Sequence, residues 1–297
     1  MVVRRSFLFT GLSALAFATG CVQLSGEDLG RIVQRDEKRF TVDGKPEVVL
    51  STFDGSIEIR SWDGPDVLVV IEKRAASQAA AEAIEVISAQ QGNRVSVEVK
   101  REGNHQFGHW FGGGSARLVV SVPVSSDVRA TSGDGSIDLD RVNGTITLRS
   151  GDGAIRATSS SGHLNVRTGD GSIELDRVDG ILEAATGDGG VKVTGKLTSL
   201  HARSGDGSIS VRAQPGSAAA ADWEVTSGDG SVTLEIPGDF SADLDARTGD
   251  GGIHLENVDV ANVSGAISRN AVRGRLGSGG RSVRVRTGDG SITLRRF

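Results

Sequence analysis

The chain has one cysteine, no tyrosine, and only 9 Phe and 3 Trp in 297 residues. A lone cysteine can close no internal disulfide, so a disulfide-stapled scaffold is excluded. With aromatics this scarce, the core is expected to be built from small aliphatic side chains. An excess of basic charge is missing too, since the formal net charge is −5. Residues 1–20 carry Arg4 and Arg5 but no acid, so the rest of the chain stands at −7. Phosphate binding draws on a concentrated basic face, and a nucleic-acid partner is therefore not expected. Glycine is abundant, at 42 residues, beside a hydrophobic content of 37%. Such a chain can bury one extended core or two modest ones, and it suits a narrow, repetitive β structure with glycines at its corners.

Residues 1–21 read as a targeting segment. Arg4 and Arg5 precede an apolar stretch from Phe7 to Ala18, and Thr19 and Gly20 lead into Cys21. The stretch is too short for a stable membrane span. Arg4-Arg5-Ser6-Phe7-Leu8 resembles a twin-arginine export signal, with Val3 where a hydroxyl residue is usual, and Ala18-Thr19-Gly20-Cys21 resembles a lipobox. Cys21 is accordingly the expected acylation site and mature N-terminus, with residues 21–38 as a polar tether. The expected location is the cell envelope, at the outer membrane or cell surface, with a lipid anchor as the membrane contact.

The internal repeat decides the fold class. Gly-Asp-Gly begins at Gly133, Gly151, Gly169, Gly187 and Gly205, and then at Gly228, Gly249 and Gly288. The first five are 18 residues apart, and the later steps are 23, 21 and 39. The last step suggests a degenerate copy at Ser264-Gly265-Ala266-Ile267. Within a unit, Gly133–Leu139 and Val142–Leu148 are each a glycine turn followed by alternating residues, so Ile137, Leu139, Ile146 and Leu148 point inward. Two strands per 18 residues make one coil, and stacked coils form a β-solenoid over residues 128–297. The longer steps mark corners at Ala213–Asp222 and Ile236–Ala242 and an excursion at Val258–Gly280. Residues 39–127 read as a small β subdomain covering the first coil, with a stray motif copy at Phe53–Ile59 and a helix near residues 77–88 capped by Ser77.

Phe53-Asp54-Gly55-Ser56-Ile57, Ser61-Trp62-Asp63-Gly64, the strand ending Val122-Pro123 and the tandem Ser/Thr-Gly-Asp-Gly-Ser-Ile units resemble the bacterial putative-adhesin family, a β-strand-repeat domain of unknown function. The resemblance covers residues 40–297. It implies architecture and brings no catalytic residues with it.

Two features invite chemistry. The repeat turns place Asp134, Asp152, Asp170, Asp188, Asp206, Asp229, Asp250 and Asp289 in one ladder. Calcium in such a ladder requires Asp at both corners of each coil, whereas the second corners read Asn143-Gly144, Ser161-Gly162, Asp179-Gly180 and Gly195-Lys196. No metal or cofactor is expected. The carboxylates are expected to be neutralised by Arg149, Arg167, Arg203, Arg247 and Arg286, each two residues before a Gly-Asp-Gly. The second feature is the aromatic-rich segment with His105, Phe107, His109, Trp110 and Phe111, read as a hairpin tip, with a partner-binding or membrane-surface loop and then a metal pair as the alternatives. Short, repetitive corners assemble no nucleophile, base and orienting group in one place, so the expected function is a non-catalytic binding, adhesin-like or spacer module for an envelope protein or glycan. Three alternatives stay open: end-to-end self-association through the Gly288–Leu294 coil, a calcium-binding repeat, and a polysaccharide-active enzyme.

Overall fold

A computed structural model describes residues 26–28, 31–101, 114–263 and 268–297. They form an all-β solenoid whose rungs each contain two strands, parallel to their counterparts in the rungs above and below. In the middle of the rod the 18-residue spacing is the stacking period: Ile137 pairs with Ile155, Ile155 with Ile173 and Ile173 with Val191. On the other side of the coil, Leu148 pairs with Val166 and Val166 with Ala184. Every apolar inward residue thus meets another, and Ile137, Ile146, Leu148, Ile155 and Val166 are completely buried. A single coil could not exclude water from these side chains, so the core exists only through stacking.

At both ends the order along the rod departs from the order along the chain. Glu47–Thr52 and Ile57–Trp62 form a rung that lies between Arg94–Arg101/Gly114–Pro123 on one side and Asp127–Ser132/Ile137–Asp140 on the other. The Phe53 copy of the motif is therefore an integral rung and not a stray one. At the far end, Ser282–Thr287 and Ile292–Arg296 insert between Trp223–Ser227/Val232–Ile236 and Ala242–Thr248/Ile253–Glu256. The final Gly-Asp-Gly coil is consequently interior, which overturns its reading as an open terminal edge suited to polymerisation. The step of 39 arises because the chain passes one rung position and later returns to fill it. Ser264–Ile267, read as a degenerate copy, lies outside the described residues.

Antiparallel strands flank both ends. Val67–Ala75 and Ile84–Gln91 run antiparallel to Gly114–Pro123 and Arg94–Arg101, and Arg31–Phe40 pairs with Val67–Ala75. The strand Arg31–Phe40 takes up much of what the sequence suggested was tether. The helix is shorter than expected, Gln78–Glu82; the Ser77 hydroxyl accepts from Ala80 N at 3.2 Å, but the strand Ile84–Gln91 claims the rest of the Ala- and Glu-rich run. At the opposite end Ala271–Leu276 pairs antiparallel with Ala242–Thr248. The core there is not purely aliphatic, because Trp223 and Phe240 are buried with their rings 4.9 Å apart. The wider coils at Ala213–Asp222 and Ile236–Ala242 need this extra volume, which the low aromatic count concealed.

Candidate functional site: the repeat edge and the outward sheet faces

The Gly-Asp-Gly turns stack into one edge of the rod. Gly169 N donates to Gly151 O at 2.6 Å, Gly187 N to Gly169 O at 2.6 Å, and Gly205 N to Gly187 O at 2.6 Å. The same ladder passes through the rearranged end, where Gly288 N donates to Gly228 O and Gly249 N to Gly288 O. Glycine is required here by close approach: a Cβ on Gly153 would lie 2.2 Å from Gly135 O and 2.4 Å from its carbonyl carbon. Left-handed backbone occurs instead at the second corners, where Arg141, Ser159 and Arg177 have φ of 56°, 50° and 51°.

The Ser or Thr before each motif points inward and joins successive turns. Ser150 Oγ accepts from Gly153 N at 3.1 Å and donates to Gly135 O at 2.9 Å, and Ser204 Oγ does the same with Gly207 N at 3.0 Å and Gly189 O at 2.9 Å. Thr248 donates to Gly290 O at 2.7 Å and Thr287 to Gly230 O at 2.7 Å, so the hydroxyl row follows the spatial order of the rungs. These hydroxyls are buried, and each such bond contributes about 1 kcal/mol.

This inward residue separates the two charged rows that the sequence placed together. Asp134, Asp152, Asp170, Asp188, Asp206, Asp229, Asp250 and Asp289 sit exposed at the turn tips, and among the described residues none of them forms an ion pair. The arginines lie on the adjoining sheet face. Arg167 meets Glu183 at 3.7 Å, Arg247 meets Asp245 at 3.2 Å, and Arg286 meets Asp245 at 3.0 Å. The expected Arg–Asp network across the corner is thus absent among the described residues. Solvent screens the carboxylate row instead. No cluster of three or more metal-ligating side chains occurs among the described residues. Arg4, Arg5 and Cys21, and the loop residues His105, Phe107, His109, Trp110 and Phe111, all lie outside the described residues.

The two outward sheet faces differ in their charge order. On the face following the Gly-Asp-Gly turns, opposite charges meet across several rung boundaries. Arg156 stands 3.7 Å from both Asp138 and Glu174, and Lys192 is 3.4 Å from Glu174. Farther along, Glu235 lies 3.2 Å from Arg212 and 3.5 Å from Arg295, which reaches Glu256 at 2.7 Å. On the opposite face, one column runs Arg149, Arg167, Ala185, Arg203, Thr226, Arg286 and Arg247 in register. The small Ala185 leaves a groove of about 220 Å³ between Arg167 and Arg203, bordered by Glu183, His201, Glu224 and Thr226. The column to one side ends at Asp245, which binds Arg247, Arg273 and Arg286. The hydrogen bond from Arg286, opposed by burial and assisted by Arg273, holds the Asp245 carboxyl below the ordinary carboxylate range.

Residues 47–295 match the family model described as Toastrack DUF4097. Solved structures that the chain matches include a putative adhesin from Bacteroides fragilis, 12% identical, covering 89% of this chain and 97% of its own, with a TM-score of 0.41. A putative adhesin from Parabacteroides merdae is 12% identical over 88% of this chain and 95% of its own, with a TM-score of 0.42. A protein from Parabacteroides distasonis described as a putative lipid binding protein is 10% identical over 89% of this chain and 96% of its own, with a TM-score of 0.40. Comparison with curated proteins finds no match.

Proposed function

We propose, from the premise that the chain belongs to the Toastrack DUF4097 family, that it is a non-catalytic binding module exported to the cell envelope and held there by lipid on Cys21. The observation that carries the reading is a rod flanked at both ends by antiparallel strands, whose exposed faces present register-matched rows of polar side chains. Such a body offers an extended docking surface. The anchoring half of the reading rests on Arg4, Arg5 and the placement of the sole cysteine after an apolar run. Acyl chains on one residue give durable membrane attachment only when two or more are present, so diacylation is expected. Fractionation of cells expressing the full chain and its Cys21→Ser variant tests this. The native chain should sediment with membranes, while the variant becomes soluble or remains unprocessed; equal membrane retention of both would refute the anchor.

A further inference from the structure

We infer that the groove over Ala185 is a binding site for an acidic sugar unit, such as a uronate within a glycan. This deepens the binding-module reading and rests on it. Three observations define the site. The in-register sequence Arg167, Ala185, Arg203 places two guanidiniums two rungs apart, about 10 Å, across a small side chain. Among the described residues, Arg203 has no ion-pair or hydrogen-bond partner, and Arg167 has only Glu183 at 3.7 Å. Thr226 Oγ1 at the groove margin is buried and unpartnered, as is Asn165 Oδ1 beside Glu183.

The donor set selects the ligand class. Arg167 and Arg203 supply charged donors, while Glu183 and Glu224 supply acceptors on the same walls. A bare phosphate would meet two carboxylates as well as two guanidiniums. A sugar acid suits both, with its carboxylate facing Arg203 and its hydroxyls donating to the glutamates. The groove is open and has the size of one ring, without an aromatic wall, so single-site binding is weak and a polymer gains by engaging repeated positions.

Titration of the full chain with a short oligogalacturonate, a neutral oligogalactan of the same length and inorganic phosphate tests the site. Oligogalacturonate should bind in preference to both others, and Arg203→Ala should weaken it about tenfold, the scale for a lost charged hydrogen bond. Arg149→Ala removes the same charge outside the groove and should change binding less than about twofold. Ala185→Arg is the decisive variant: it fills the groove while adding a positive charge, and should abolish binding with the circular dichroism unchanged. Tighter binding by Ala185→Arg would show diffuse charge attraction and overturn the site. Equal binding of phosphate or of the neutral oligomer, or no binding of oligogalacturonate, would also overturn it. Glycan binding that persists in both groove variants would remove this site yet leave the binding-module reading standing.

Discussion

Between Asp127 and Ala213, each rung pairs with the next rung in the chain, whereas at both ends a rung is held between two segments that are not its sequence neighbours. The middle is built from contacts about one repeat apart, and the same hydroxyl and glycine contacts recur at each step. The C-terminal end joins Gly228 to Gly288 and Gly288 to Gly249, so it is complete only when the last residues have docked. Local repetition thus supplies a uniform rod, and long-range insertion closes it. Loop-closure entropy opposes the second kind of contact more than the first.

Among single substitutions, the largest expected effect comes from breaking the middle. Gly153→Ala would force a Cβ into the Gly135 peptide, and neither backbone can yield without disturbing its own ladder. A loss of about 3 kcal/mol or more is expected. Gly252→Ala, whose Cβ would meet only the His254 side chain at 3.4 Å, should cost far less. Thermal unfolding of the pair checks the contrast, and equal midpoints would contradict the close-stacking explanation.

Deleting residues 282–297 should break an end while sparing the middle. The deletion removes the buried Val283, Val285, Ile292 and Leu294 and separates the Trp223 and Ala242 rungs. Hydrogen exchange should accelerate across residues 223–276 and stay slow across residues 137–211. Uniform acceleration along the rod would show that the two regions unfold as one.

The smallest effect concerns Asp245, which ties the inserted rung, the outermost rung and the capping strand through Arg286, Arg247 and Arg273. Its folded pKa is lowered, so its contribution is present above the unfolded value near pH 4 and is lost as pH falls through the folded one. Asp245→Asn should lower stability at neutral pH by about 1 kcal/mol, given partial exposure, and should flatten the acid dependence of the C-terminal end. An unchanged acid profile in the variant would remove Asp245 as its source.

Much of the repeat was legible because period-two alternation and a fixed glycine spacing both follow from strand geometry. Ile137, Leu148 and Val166 are buried as the alternation requires. Ile253 and Leu255, inward by the same rule, are only partly buried because their rung is the outermost. The Arg149–Arg286 row was recognisable as an outward row, but its partners were not: they depend on the inward-pointing Ser or Thr that puts the Asp around the corner. The Ala185 groove lies where rungs follow chain order, so the 18-residue spacing already aligned Arg167, Ala185 and Arg203; the walls from Glu183, His201 and Glu224 came from the neighbouring column on the same face. One signal for that order was available. Arranged along the chain, Arg212, Glu235, Glu256 and Arg295 set two acids side by side; in the folded order, Arg295 stands between the glutamates.

By itself, then, the sequence determined the coil, its inward residues and the need for glycine at its edge, since these depend on contacts within one repeat or between identical ones. Only the tertiary structure decided which coil lies beside which. Every Gly-Asp-Gly turn is a chemically acceptable neighbour for every other, so the choice at the ends rests on connection lengths, the antiparallel flanking strands and the charges that meet across rungs.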